Sequence, residues 1–126
     1  MMALHPVHPR FFRYLLVFLV LVISYLAFTP IHHAVVERLP DKLNHASAFL
    51  ALAFAVDFAF PERKFGLWKV LVLLGYGVLI ELVQKFLPFR DAEVLDVVAD
   101  GVGLLIYGAI LPMLRRVPVL EERWRP

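Results

Sequence analysis

Three polar residues interrupt an apolar stretch of this 126-residue sequence, and their types suit binding or acid–base chemistry. Glu81, Gln84 and Lys85 stand at i, i+3 and i+4, a spacing that places side chains on one face of an α-helix. An ionised side chain within a membrane span costs about 2.5 to 3.5 kcal/mol or more, so such groups usually face the bundle interior or a water-filled cavity. We therefore expect this face to meet polar partners on neighbouring helices.

The composition is that of a membrane protein. Hydrophobic residues make up 61% of the chain, and its mean hydropathy is +0.76. Four apolar segments approach the roughly 20 residues needed to cross a bilayer, and they lack the alternation of barrel strands. The segments are residues 11–28, 43–60, 67–87 and 94–114. The sequence predicts an all-α membrane protein: a single domain over residues 1–126, with four transmembrane helices in a compact bundle.

The distribution of lysine and arginine predicts the orientation, because basic residues stay on the cytoplasmic side. Nine lie in the N-terminus, the second loop and the C-terminus: Arg10, Arg13, Arg63, Lys64, Lys69, Arg115, Arg116, Arg123 and Arg125. The first and third loops hold four: Arg38, Lys42, Lys85 and Arg90. Both termini are expected inside. The basic residues form no stripe, so no nucleic-acid partner is predicted.

Polar residues also open the helices on either side of the third. Asp96 begins the fourth helix and Asp100 follows one turn later on the same face, while Arg90 lies in the short loop before them. The predicted ligand-binding residues are Asp41, Lys42, His45, Glu81, Gln84, Arg90, Asp96 and Asp100. All lie toward the outer side, which predicts an outward-facing polar pocket. Lys85 is expected to extend to the membrane interface instead.

Other residues receive structural roles. Gly77 and Gly103 are expected to let helices three and four approach closely. Asp57 lies near the inner end of helix two and is expected to pair with Arg63 or Lys64. One histidine with carboxylates lacks the spacing of a recognised metal site, so neither a metal nor a cofactor is predicted.

Three stretches resemble the VanZ-like family: DKLNHASAFLALAF, GYGVLIELVQKFLPFR and EVLDVVADGVG. The similarity spans about residues 41–103. The family pattern falls on Asp41, Lys42, His45, Glu81, Gln84, Arg90, Asp96, Asp100 and Gly103. Phe89 stands where the family commonly has glycine, and Asp100 where it commonly has asparagine. The resemblance implies a cell-envelope role connected with resistance to the glycopeptide teicoplanin, and no defined reaction.

Three functions fit these residues. The first is a multi-pass protein of the cell (cytoplasmic) membrane whose Arg90, Lys42 and His45 bind an anionic lipid or cell-wall precursor. The second is a membrane-embedded enzyme acting on a lipid-linked or cell-wall precursor, with Glu81 and His45 as candidate catalytic residues. The third is a small proton-coupled carrier. The sequence leaves the ligand, the oligomeric state and any catalytic step open.

Overall fold

The computed structural model describes residues 8–29, 41–87, 94–118 and 120, which form four α-helices. Numbered along the chain, they are α1 (Pro9–Phe28), α2 (Asp41–Ala59), α3 (Leu67–Lys85) and α4 (Val94–Leu114). Each boundary lies within two residues of the predicted segment. The all-helical fold predicted from hydropathy is therefore confirmed.

Three of these helices, α1, α3 and α4, are long and apolar enough to cross a membrane. Their outer faces carry large apolar side chains that remain exposed, such as Leu21 at 65%, Leu79 at 55% and Leu105 at 75%. Soluble proteins rarely leave large apolar patches uncovered. Length, composition and exposed apolar surface together mark the chain as a membrane protein.

Helix α2 differs from the other three because it forms much of the buried core. It has 19 residues, carries polar side chains in its first turns, and is less hydrophobic on average than each of the other three helices. It is not among the helices that are long and apolar enough to cross a membrane. Phe49, Leu52 and Phe58 on α2 are almost fully buried, and the helix contacts α1, α3 and α4. A helix covered by its neighbours needs little apolar surface toward lipid.

The closest approach at a glycine is between α2 and α4. A Cβ atom at Gly103 would collide with the backbone oxygen of Ala46 and lie 3.0 Å from the Leu50 nitrogen. Gly77 on α3 lies against the Asp100 carboxylate of α4, so α3 and α4 also meet, as expected. The prediction that both glycines lie in contacts between helices three and four is wrong for Gly103, which lies in the α2–α4 contact.

A buried ion pair lies at the C-terminal end of α2. The ammonium group of Lys69 donates to Asp57 Oδ1 at 2.9 Å and to the backbone oxygens of Phe60 at 3.0 Å and Arg63 at 2.6 Å. Tyr107 of α4 donates its hydroxyl to Asp57 Oδ2 at 2.6 Å. Both carboxylate oxygens of Asp57 are therefore bonded, and Lys69 also bonds carbonyls at and beyond the end of α2.

This arrangement corrects the predicted partner of Asp57, which was Arg63 or Lys64. Lys69 supplies the ion pair, while the Arg63 guanidinium lies over the Trp68 ring at 5.4 Å from its centroid. The physical reason is the path of residues 60–66, which turn back so that the first turn of α3 lies against the end of α2. Lys69 was predicted to lie in the loop, but it belongs to the first turn of α3.

Candidate functional site

Five polar side chains from three helices meet at the other end of the bundle, and we call them the polar cluster. Lys42 and His45 come from the first turns of α2, Glu81 from the last turns of α3, and Asp96 and Asp100 from the start of α4. The N-terminal turns of α2 and α4 therefore lie beside the C-terminal part of α3. Hydrophobic packing of the helices brings these groups together.

Lys42 and Asp96 form the outer contact of the polar cluster. Lys42 Nζ lies 2.6 Å from Asp96 Oδ1, and the exposed side-chain fractions are 40% for Lys42 and 3% for Asp96. The carboxylate is thus buried in the first turn of α4, where the helix dipole favours a negative charge. The ammonium group is held by this buried anchor and reaches the surface.

His45 lies between the two aspartates of α4. Its Nδ1 atom is 2.8 Å from Asp100 Oδ1, and its Nε2 atom is 3.6 Å from Asp96 Oδ2. Asp100 is only 1% exposed, and its Oδ2 atom has no hydrogen-bond partner within the described part of the chain. That oxygen faces the backbone of Gly77, where any larger residue would displace it.

Glu81 completes the polar cluster from α3 and is 9% exposed. One of its carboxylate oxygens, one ring nitrogen of His45 and one carboxylate oxygen of Asp96 all lie within 4.8 Å of one another. Three potential metal ligands from three helices therefore share one small volume. Sequence spacing could not indicate this set, because it depends on how the three helices are rotated about their axes.

Gln84 was predicted to bind the ligand, but its side chain contacts α1. Its amide nitrogen donates to the backbone oxygen of Ala27 at 2.9 Å, which links α3 to the last turn of α1. Gln84 is 7% exposed, and this hydrogen bond gives it a role in holding two helices together. Lys85, the next residue, is exposed, as expected for an interfacial lysine.

Two predicted ligand-binding residues fall wholly or partly outside the described structure. Arg90 lies outside the described residues, and Asp41 is described only through its backbone at the start of α2. The polar cluster as described contains three carboxylates, one ammonium and one imidazole. With His45 neutral, it carries an excess of two negative charges.

The second buried polar group consists of Asp57, Lys69 and Tyr107, of which only Asp57 was predicted to form an ion pair. Its one sequence signal is an aspartate inside an apolar segment, and no spacing rule connects that aspartate to a lysine 12 residues later or a tyrosine 50 residues later. Both oxygens of Asp57 are bonded within this group. It therefore stabilises the fold and leaves the polar cluster as the candidate site.

Comparisons with known proteins leave the family undecided. No protein-family model matches this sequence, and no curated protein and no solved structure is significantly similar to it. The VanZ-like resemblance remains a prediction.

Proposed function

We propose that the chain is a four-span, VanZ-like protein of the cytoplasmic membrane whose polar cluster faces outward and binds an anionic envelope component. The ligand class is a lipid-linked phosphate or a peptide carboxylate, and Arg90, Lys42 and His45 provide the positive side of the site. The observation that carries this proposal is the Lys42–Asp96 contact. A buried carboxylate holds a partly exposed ammonium group at 2.6 Å, which presents a preorganised cation at the end of the bundle.

The cost of burying these groups supports a binding role. Asp96 and Asp100 are 2% and 1% exposed, and Glu81 is 9% exposed. Ionisable residues within membrane proteins are expensive to retain and commonly mark functional sites.

The proposed topology makes α2 the fourth span. Its polar first turns lie at the level of the cluster, and its exposed stripe is narrow: Leu43, Ser47 and Ala51. Lys69 is fully buried in its ion pair with Asp57, whereas Lys42 remains partly exposed, so only Lys69 drops out of the charge count that sets the orientation. The remaining eight basic residues on the inner side still outnumber the four on the outer side, which favours cytoplasmic termini.

Thiol labelling tests this orientation cleanly, because the chain contains no cysteine. Ala92→Cys, at a position between the end of α3 and the start of α4, is expected to react with a membrane-impermeant maleimide added outside intact cells. Lys64→Cys, in the loop between α2 and α3, is expected to react only after the membrane is permeabilised. The reverse pattern would contradict the proposed topology.

The binding role predicts that Lys42→Gln and Arg90→Ala abolish teicoplanin protection in a Gram-positive tester strain, at matched membrane levels. Losing a hydrogen bond to a charged group costs about 1.5 to 3 kcal/mol, roughly 10- to 100-fold in affinity. Lys85→Gln is the matched control, because Lys85 is an exposed lysine at the end of α3 that lies beside the polar cluster. It is expected to keep wild-type protection.

Two results would count against this function. Protection that survives both Lys42→Gln and Arg90→Ala would remove the cations from the mechanism. A wild-type protein that gives no protection would end the connection with teicoplanin.

The contact between His45 and Asp100 favours the enzyme as the second candidate. A histidine oriented by a buried carboxylate at 2.8 Å is a common general-base arrangement. Turnover of an envelope precursor that depends on His45 would distinguish this function from binding alone.

The carrier hypothesis has less support, because Asp57, the acidic residue near the inner end of α2, has both oxygens bonded to Lys69 and Tyr107.

A further inference from the structure

We infer that the polar cluster is a binding site for a divalent first-row transition metal ion, ligated by His45 Nε2 and the carboxylates of Glu81 and Asp96. All three ligands are described residues. In the anion-binding role, the bound ion would replace His45 as a positive group, because a ligating histidine is neutral. One ring nitrogen of His45 and one oxygen each of Glu81 and Asp96 lie within 4.8 Å of one another, and Nε2 is the nitrogen 3.6 Å from Asp96 Oδ2. Bonds of about 2.1 Å in tetrahedral geometry place ligand atoms about 3.4 Å apart. Small side-chain rotations would therefore close the site around an ion.

The contact between His45 and Asp96 already has nearly this spacing. Nε2 of His45 is 3.6 Å from Asp96 Oδ2, while Nδ1 lies 2.8 Å from Asp100 Oδ1. When Nδ1 carries the proton and donates it to Asp100, Nε2 directs a lone pair toward the Asp96 oxygen. Two acceptors that face each other need a proton or a metal ion between them. A metal ion would also pair with the Glu81 carboxylate, which a single proton shared by His45 and Asp96 does not.

The groups around the three ligands match the outer shell of known metal sites. A ligating histidine almost always donates its other N–H to a carboxylate, a carbonyl or water, which fixes the ring. Asp100 occupies that position for His45, and Lys42 holds the second oxygen of Asp96 at 2.6 Å. Two of the three ligands are thus oriented by a neighbour that leaves the metal-facing atom available.

Charge provides an observation that is independent of the ligand geometry. Asp100 is 1% exposed, and its Oδ2 atom is buried with no hydrogen-bond partner in residues 8–29, 41–87, 94–118 and 120. The described cluster holds three carboxylates against one ammonium. A divalent cation held by His45, Glu81 and Asp96 balances that excess beside the buried Asp100 carboxylate, whose Oδ1 atom bonds His45.

The ligand types indicate the class of ion. Imidazole nitrogen suits zinc and other transition metals, whereas calcium and magnesium prefer oxygen ligands throughout. One nitrogen and two carboxylate oxygens from the protein leave at least one position open. An oxygen of a phosphate or a carboxylate is suited to that position.

The test uses the full-length protein in detergent, purified with a histidine-free tag and treated with a chelator. Calorimetric titration with Zn²⁺ is expected to give one site per chain, which Ca²⁺ does not compete for. Asp100→Asn is expected to weaken binding by about 10- to 100-fold, the usual effect of losing an outer-shell partner. His45→Asn and Glu81→Gln, which remove ligands, should weaken it further.

His8→Asn is the matched control for adventitious binding to histidine. His8 caps α1 through a ring nitrogen that accepts from the Arg10 amide, and asparagine preserves an N-cap acceptor. Its Zn²⁺ affinity is expected to equal that of the wild type. A site that His8→Asn removes, or that survives His45→Asn combined with Glu81→Gln, would overturn the inference.

A measurement on the wild type alone covers the case in which a variant fails to fold. Zn²⁺ is expected to raise its unfolding temperature progressively with concentration, because an ion that binds only the folded state stabilises it. An unfolding temperature that does not respond to Zn²⁺ would also overturn the inference. A proton on Nε2 would then account for the contact between His45 and Asp96.

Discussion

Replacing Lys69 with methionine is expected to lower the free energy of unfolding by about 3 to 5 kcal/mol, the usual cost of removing one partner from a buried ion pair. Lys69 and Asp57 are both 0% exposed, so no water can replace the lost ammonium group. Asp57 would keep the hydroxyl of Tyr107 on one oxygen, and its charge would remain buried.

The loss would extend beyond the ion pair. Lys69 also donates to backbone oxygens of Phe60 and Arg63, so its removal leaves carbonyl groups of the loop unbonded. Unfolding of the purified protein by titration with a denaturing detergent in mixed micelles measures the effect. Lys64→Met is the control, because Lys64 is an exposed lysine of the same loop. It should change the free energy by no more than about 0.5 kcal/mol.

A double variant separates the buried charge from other effects of Lys69→Met. Adding Asp57→Asn removes the charge, while the asparagine oxygen can still accept from Tyr107. Replacing both partners of a buried pair by neutral groups is often tolerated. Most of the stability is therefore expected to return. A double variant no more stable than Lys69→Met would show that the pair itself does not account for the loss.

Gly103→Ala is expected to destabilise the bundle by about 1 to 3 kcal/mol, the usual cost of overpacking a core. The added methyl group would meet the backbone oxygen of Ala46, with the Leu50 nitrogen at 3.0 Å and the Ala46 carbonyl carbon at 3.1 Å. Backbone atoms within a helix cannot turn aside as a flexible side chain does. The two helices would have to separate, and His45 would move away from Asp100 with α2.

Gly108→Ala is the matched control on the same helix. A Cβ atom at Gly108 meets nothing within 4 Å in the described structure. The same mixed-micelle titration should show no loss of stability, and a gain of about 0.4 to 1 kcal/mol is expected because alanine has less backbone freedom in the unfolded chain. Equal effects of the two substitutions would contradict the close α2–α4 contact and point to a general effect of replacing glycine.

Hydropathy was sufficient to locate the helices, because a membrane span needs a fixed length of apolar sequence. Lys42, Glu81 and Asp96 were also identified as a group, since charges in apolar segments must find one another. Their pairing was not predictable. Whether Asp96 meets Lys42 or His45 depends on helix rotations of a few tens of degrees, which a sequence pattern does not specify.

The Lys69 contact shows a different limit. A basic residue beside a loop indicates orientation by its charge alone, and nothing in that rule says whether the side chain faces water or protein. Here the seven residues 60–66 turn the chain back and bury it. The path of a short irregular segment decided the outcome, and such a path leaves no periodic signal.

The ion pair between Lys69 and Asp57 also bears on how the protein enters the bilayer. On the proposed four-span topology, α2 is the least apolar of the four spans. Its only charged side chain beyond the first turns is Asp57, which lies 12 residues before its partner Lys69. The pair can form within the α2–α3 hairpin before α4 has been synthesised. The hairpin is therefore suited to leave the insertion machinery as one unit, with α4 joining afterwards to supply the Tyr107 hydroxyl and the aspartates that receive Lys42 and His45.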